Sequence, residues 1–314
     1  MGLERARTLL GSLGLGALVG AISGAASAGF LLALDWATKT RESHESLIYG
    51  LPFAGLLMGW VYERFAGPSR NGTNVIIDAI HDAGPRVPLR MAPMIALGTV
   101  VTHLFGGSAG REGTAVQMGG SLADTLAHLL NLTPLVRRQA LIAGVAGGFG
   151  SVFGTPVAGA VFALELTRMI RLDFGAAETV GFDREAALRQ NQTGSLVAVT
   201  SAFIGDWVTR GLGCVHTQYP QVLSVALTPQ LFARWVVFAL AIALTAAVFI
   251  ESTHGLRRIG EATVRRREMR MFIGGALVVV MWSVSGTSDY LGLGMPFITR
   301  TFSDPIVPVS AFAM

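Results

Sequence analysis

Charge is scarce in this sequence: only 14% of its 314 residues are Asp, Glu, Lys or Arg. A soluble domain carries about 25%. Cysteine is scarcer still. Cys214 stands alone, which excludes an intrachain disulfide and a thiolate metal cluster. The motifs of membrane and soluble enzymes are missing as well, with no HExxH, no G-x-S-x-G and no Walker lysine. His81 and Asp82 are too few for a metal site and read as solvated loop residues. No enzyme activity, cofactor or metal is expected.

Apolar residues and glycine are abundant: 51% of the chain is hydrophobic, 39 residues are glycine, and mean hydropathy is +0.54. This balance describes an all-α polytopic membrane protein whose small residues let helix backbones approach. Thr8 to Leu34 carries no charge and exceeds the roughly 20 residues a span needs. Ala26-Ser27-Ala28 mimics a signal-peptide cleavage site, but the apolar run before it is too long for an h-region. Gly16, Gly20 and Gly24 recur every fourth residue and make one smooth helix face.

Asp35 to Glu45 reads as an exposed polar connection, and Ser46 to Tyr62 as a second apolar run with Gly55 and Gly59 on one face. Glu63 to Gly72 is irregular, and Asn74 to His81 is too short to span. Met91 to Gly110 has spanning length. The helix after Glu112 is expected to break near Asp124, with Thr125 to Val136 a short segment ended by Arg137 and Arg138. Gln139 to Leu164 is apolar and interrupted at Gly154-Thr155-Pro156, where proline removes an amide and disfavours helix before it. Glu165 closes that run, and the charged stretch Arg168 to Arg189 reads as a solvent-facing insertion. Leu196 to Trp207, Leu231 to Ile250 and Met271 to Ser288 are further membrane candidates. The dense basic cluster from Arg257 to Arg270 lies between two of them, which places that loop in the cytoplasm and argues against a nucleic-acid partner.

One stretch organises the chain: Gly106 to Gly120, whose Arg111 and Glu112 are the only formal charges between Arg90 and Asp124. Glycines on both sides let the backbone leave helical geometry, and a helix starting at Arg111 turns its first amides outward. Free N–H groups at the positive end of a helix dipole form an anion site. Glu112 is placed there as a tethered carboxylate that competes with a mobile anion. An ionisable residue at membrane depth marks function by default. The alternative is a Gly-rich interhelical turn with a structural Arg-Glu pair. The short Asn74 segment follows another Gly-rich turn, and half-helices with inward N-termini are how membrane proteins hold anions.

Gly110-Arg111-Glu112-Gly113-Thr114 resembles the GREGP-type signature of the CLC chloride channels and transporters. Asn71-Gly72-Thr73-Asn74 lies where that family has its GSGIP-type segment, and Gly150 to Gly159 matches its GxFxxxPxxG stretch. The resemblance implies an anion transporter in which Glu112 is gate and proton carrier. It implies anion contacts at Asn71, Gly72, Thr73, Asn74, Gly110, Arg111, Gly113 and Thr114, with Arg111, Phe153 and Pro156 structural at the pore. It further implies a homodimer in the lipid bilayer of a prokaryotic plasma (inner) membrane. The expected fold is a single transmembrane domain over 1–314 of tilted, broken and re-entrant helices. It is built as inverted repeats, the first over about 8–207 and a partial second over about 231–314, with the polar insertion at about 168–190.

Three departures from the family pattern matter. Thr114 replaces the common proline, Asn71 stands where chloride carriers have a serine, and Glu165-Leu166 stands where many members carry an internal Glu-Glu pair. All three are similar to the fluoride-exporting branch. Fluoride/proton antiport is the leading expectation, with fluoride or chloride and protons as partners. A chloride channel or chloride/proton exchanger is the alternative, and a non-transporting scaffold a second. The family's later Gly-rich half-helix has no counterpart before Met314, so the chain is expected to be a fragment.

Overall fold

The structure, a computed structural model, describes residues 2–81, 86–173, 184–216, 226–294, 298–300 and 302; for 2–5, 167–173 and 184–192 it describes backbone alone. Among these residues every regular element is a helix. The first, α1, runs Gly2–Ser43. It continues through the stretch expected to be a loop, because the polar residues there satisfy one another along the helix. Lys39 Nζ donates to Asp35 at 2.6 Å one turn away, and the hydroxyls of Thr38, Thr40 and Ser43 each donate to a carbonyl four residues back. A 3₁₀ turn, Glu45–Gly50, leads to α2, Leu51–Val61, and irregular turns ending in the 3₁₀ segment Gly67–Asn71 lead to α3, Thr73–His81.

Then come α4, Met91–Leu104, and α5, Arg111–Leu129. No break occurs at Asp124. Its carboxylate is fully buried and accepts the Val87 amide at 2.7 Å and Arg137 Nε at 2.5 Å. Arg137 does not end a segment either; it lies in the first turn of α6, Pro134–Phe153. The carboxylate thus joins the entry to α4, the end of α5 and the start of α6. After Gly154 and Thr155 the chain resumes as α7, Pro156–Asp173, so the expected break is present and Glu165 does not close the helix. The middle of the charged stretch, 174–183, lies outside the described residues; its two ends continue α7 and open α8, Arg184–Gly211. Two long helices complete the chain, α9, Pro229–Thr263, and α10, Arg267–Ser285.

By length and composition α1 from Ala6, α9 and α10 can each cross a membrane. Lipid tails are as apolar as leucine, so close packing rather than water exclusion must hold such helices together. The Gly16-Gly20-Gly24 face does this on α8: a β-carbon at Gly16 would stand 2.8 Å from Val197 O, and one at Gly20 2.5 Å from Ser201 O. Gly119 of α5 and Gly144 of α6 meet in the same way, and Gly55 lies against Met271 of α10. The interior beneath α5 and α6 is filled by Ile76, Ile80, Val116, Leu141 and Val145. Helix α9 buries none of its residues, and its apolar surface, with Trp235, Phe238, Leu244 and Phe249, faces outward as lipid-contacting surface does.

Candidate anion site

Helix α4 ends at a glycine turn that delivers the chain to α5. Gly106 takes φ +84°, a conformation glycine adopts without strain, and its amide donates to His103 O while that of Gly107 donates to Thr102 O. These bonds close the last turn of α4 and leave the backbone extended at Gly110, with φ −66° and ψ 140°, as the N-cap of α5. A helix leaves its first four amides without intrahelical partners. Here they belong to Gly110, Arg111, Glu112 and Gly113. The Glu112 side chain turns back toward Gly110, whose β-carbon position lies 2.5 Å from Glu112 Oε2. The carboxylate is exposed to the space in front of the helix start.

A second helix start arrives at the same place. Gly72, at φ +60°, turns the chain into α3, so Thr73 sits in the first turn with its amide unspent. Gln117 of α5 is 8% exposed, and its Nε2 donates to Thr73 Oγ1 at 3.4 Å. The same nitrogen lies 3.7 Å from the β-carbon position of Gly72 and 3.6 Å from that of Gly113. An amide nitrogen therefore occupies the gap between two helix N-termini. Both dipoles raise the potential there, and the donors are fixed before any anion arrives.

The other expected site residues separate into groups. Asn71 and Asn74 flank the α3 start and are exposed. Thr114 is tied into the helix packing. Its buried hydroxyl lies 2.7 Å from Thr99 Oγ1 and 3.4 Å from Gly110 O, while Thr99 Oγ1 also lies 2.9 Å from Ile95 O. Its amide falls fifth in the helix and bonds within it. The hydroxyl instead anchors the first turn of α5 to α4, a role that a proline could not fill.

Arg111 turns away toward the end of α6, its guanidinium 5.7 Å from the Phe153 ring centroid. Phe153 stacks in turn on Phe149, and Phe149 on Phe162 of α7, with centroids 4.7 Å apart in both pairs. Pro156 reaches the site only through backbone. It opens α7 after the Thr155 amide has bonded to Gly150 O.

Three residues contribute that sequence reasoning passed over. Gln117 had a signal, since it falls one turn after Gly113 on the same face of α5. His216 and Arg210 had none: from beyond α8 His216 Nε2 donates to Ser151 O at 2.8 Å, and from the last turn of α8 Arg210 Nη2 donates to Gly154 O at 3.2 Å, capping the end of α6.

Residues 54–314 match the family model described as voltage gated chloride channel. A chloride/fluoride channel protein of Pseudomonas syringae pv. tomato is 41% identical over 304 residues, covering 94% of this chain and 63% of that protein. The H(+)/Cl(-) exchange transporter ClcA of Salmonella schwarzengrund is 29% identical over 180 residues, 53% of this chain and 38% of the relative. The chain thus spans less than two thirds of the length of these relatives. Among solved structures, a CLC-type fluoride/proton antiporter aligns over 95% of this chain and 71% of its own, with TM-score 0.81 and 29% identity. A slow cyanobacterial Cl-/H+ antiporter shares the fold at TM-score 0.69 and 16% identity, over 86% of this chain and 63% of its own.

Proposed function

We propose, for a chain that belongs to the voltage-gated chloride channel family, that it works in fluoride/proton antiport with Glu112 as its gate. The observation that carries this reading is the Glu112 carboxylate beside Gly110 at the start of α5, with Gln117 bridging to the start of α3. A carboxylate tethered there competes with an anion for the same donors. An arriving anion takes the amides and displaces the carboxylate, which then accepts a proton from the aqueous side. The neutral side chain no longer competes for the positive helix ends, so the anion passes and the proton returns with the side chain. Exchange follows because one set of amides serves both charges in turn.

Fluoride is favoured over chloride by the supply of donors. Fluoride is small and strongly hydrated, so its site must replace several water hydrogen bonds at short range. Free amides from two helices and the Gln117 amide lie within one gap, and the Thr73 hydroxyl and the exposed Asn71 amide stand at its α3 side. Support for fluoride as a cargo comes from a relative named a chloride/fluoride channel protein and a neighbour described as a CLC-type fluoride/proton antiporter. The test is initial efflux of fluoride and of chloride from liposomes holding the protein, recorded with proton uptake. Fluoride should leave much faster and should drive protons the opposite way. Equal rates for the two anions would replace fluoride by chloride in the reading. Flux of either anion without proton movement would make the protein a channel.

A further inference from the structure

We propose that Arg41 holds a small monovalent inorganic anion in a second site, in the cleft between α1 and Arg111 and apart from the amides at the start of α5. The cleft has a volume of about 760 Å³ and is walled by the last turns of α1, by Arg111 and Phe153, by His216 and by Leu291 and Gly292. The Arg41 side chain is only 8% exposed, although sequence alone puts it in an exposed connection. A guanidinium has five N–H donors. Among the described residues Arg41 spends one of them, from Nη2 to Glu42 Oε1 at a long 3.4 Å, and that carboxylate is itself half exposed. A cation drawn this far from water with its donors unspent is costly unless an anion or ordered water takes them.

The other charges of the cleft leave that demand in place. Lys39 and Asp35 neutralise each other at 2.6 Å. Arg111 adds a second guanidinium to the wall, and Glu42 is the carboxylate that remains. Arg41 is also held in position. Its Cδ lies 3.6 Å from the β-carbon position of Gly106, in the turn that leads to α5, and the Gly106 carbonyl accepts the Gly292 amide at 3.3 Å. The stem of Arg41 is thereby fixed against the turn while its head lines the cleft. An anion held there stands on the path to Arg111, and a cationic cleft of low dielectric raises the local concentration of such ions. The role as an antechamber rests on the transport reading above; the binding itself does not.

Binding can be read without transport. The purified protein in detergent is melted in increasing sodium bromide, with sodium gluconate holding ionic strength constant. Bromide should raise the midpoint in wild type and in Glu112→Gln, and should fail to do so in Arg41→Gln. Arg41→Lys, which keeps the charge, should retain most of the rise and covers the case in which Arg41→Gln does not fold. Crystals soaked in bromide should carry an anomalous peak beside Arg41. A bromide response in Arg41→Gln equal to that of wild type overturns the site. So does a soaked wild-type crystal with no bromide there, which would mean that water alone solvates the guanidinium. A protein that binds bromide at Arg41 but moves no anion would refute the transport reading and leave this site standing.

Discussion

Gln117 Nε2 donates to Thr73 Oγ1 at 3.4 Å, and with this single bond two residues 44 positions apart hold the first turns of α5 and α3 together. The bond fixes the gap in which both sets of free amides converge. A neutral buried hydrogen bond contributes about 1 kcal/mol, which is roughly a factor of five in an equilibrium. Gln117→Leu should therefore narrow the preference for fluoride over chloride by about that factor. Gln117→Glu should suppress flux of both anions, because it sets a carboxylate between the helix ends. Initial efflux rates from liposomes decide both. An unchanged fluoride/chloride ratio in Gln117→Leu would remove Gln117 from the site.

Glu112→Gln keeps the length of the side chain and removes its charge. The neutral amide should leave the Gly110 to Gly113 donors open to anions, and it cannot carry a proton. Anion efflux should persist while coupled proton uptake falls to background. Proton pumping against an anion gradient at the wild-type rate in this variant would take the gate away from Glu112.

The features legible in the sequence are those that repeat locally. The Gly16-Gly20-Gly24 face needs only four-residue spacing to be seen, and Gly154-Thr155-Pro156 breaks a helix wherever it occurs. The helix start at Arg111 was readable for the same reason, since Gly110 supplies its own cap geometry. What escaped depends on partners far along the chain. Asp124 reads as a helix breaker until its carboxylate is seen to meet Arg137 and an amide 37 residues back. Arg41 reads as surface because nothing local shows that Gly106 and Leu291 fold over it. The meeting of the Thr114 hydroxyl with Thr99 is hidden for the same reason, since Thr99 lies 15 residues away.

Breaking the buried pair at Asp124 should be costly. Asp124→Asn keeps the shape, removes the charge opposite Arg137 and weakens the Val87 contact. Removing one partner of a buried ion pair destabilises by about 3–5 kcal/mol. The expected result is a sharp loss of monodisperse protein in size-exclusion chromatography and a lower thermal midpoint. The double variant Asp124→Asn with Arg137→Gln should recover part of the loss. If Asp124→Asn melted with wild type, the pair would be irrelevant to the fold.

Glycine at the α1–α8 crossing is a matter of space. A β-carbon at Gly20 would stand 2.5 Å from Ser201 O, and a backbone carbonyl cannot move aside as a side chain can. Gly14, on the same helix, has nothing within 4 Å of its β-carbon position. Gly20→Val should therefore lower the melting midpoint strongly, by more than the 1–3 kcal/mol that overpacking costs at about its usual scale. Gly14→Val should melt close to wild type. Equal midpoints for the two variants would show that the helices do not cross at Gly20.

Asn71 carries the last prediction, on ion choice. It ends the 3₁₀ turn that aims α3 at the gap, stands two residues before Thr73, and is exposed there. An amide side chain offers two N–H donors, whereas serine offers one shorter hydroxyl. Fluoride gains more than chloride from an extra short-range donor, because it gives up a tighter hydration shell to enter. Chloride is larger and tolerates a looser set of contacts. Asn71→Ser should thus slow fluoride efflux and leave chloride efflux near its wild-type rate. The difference at stake is about 0.5–1.5 kcal/mol, the net contribution of one hydrogen bond, which corresponds to roughly a twofold to tenfold narrowing of the ratio. Melting midpoints measured alongside should not move, since Asn71 lies at the surface of its turn. A variant that slowed both anions equally would make Asn71 part of the scaffold of α3, and one that changed neither would remove it from the anion path.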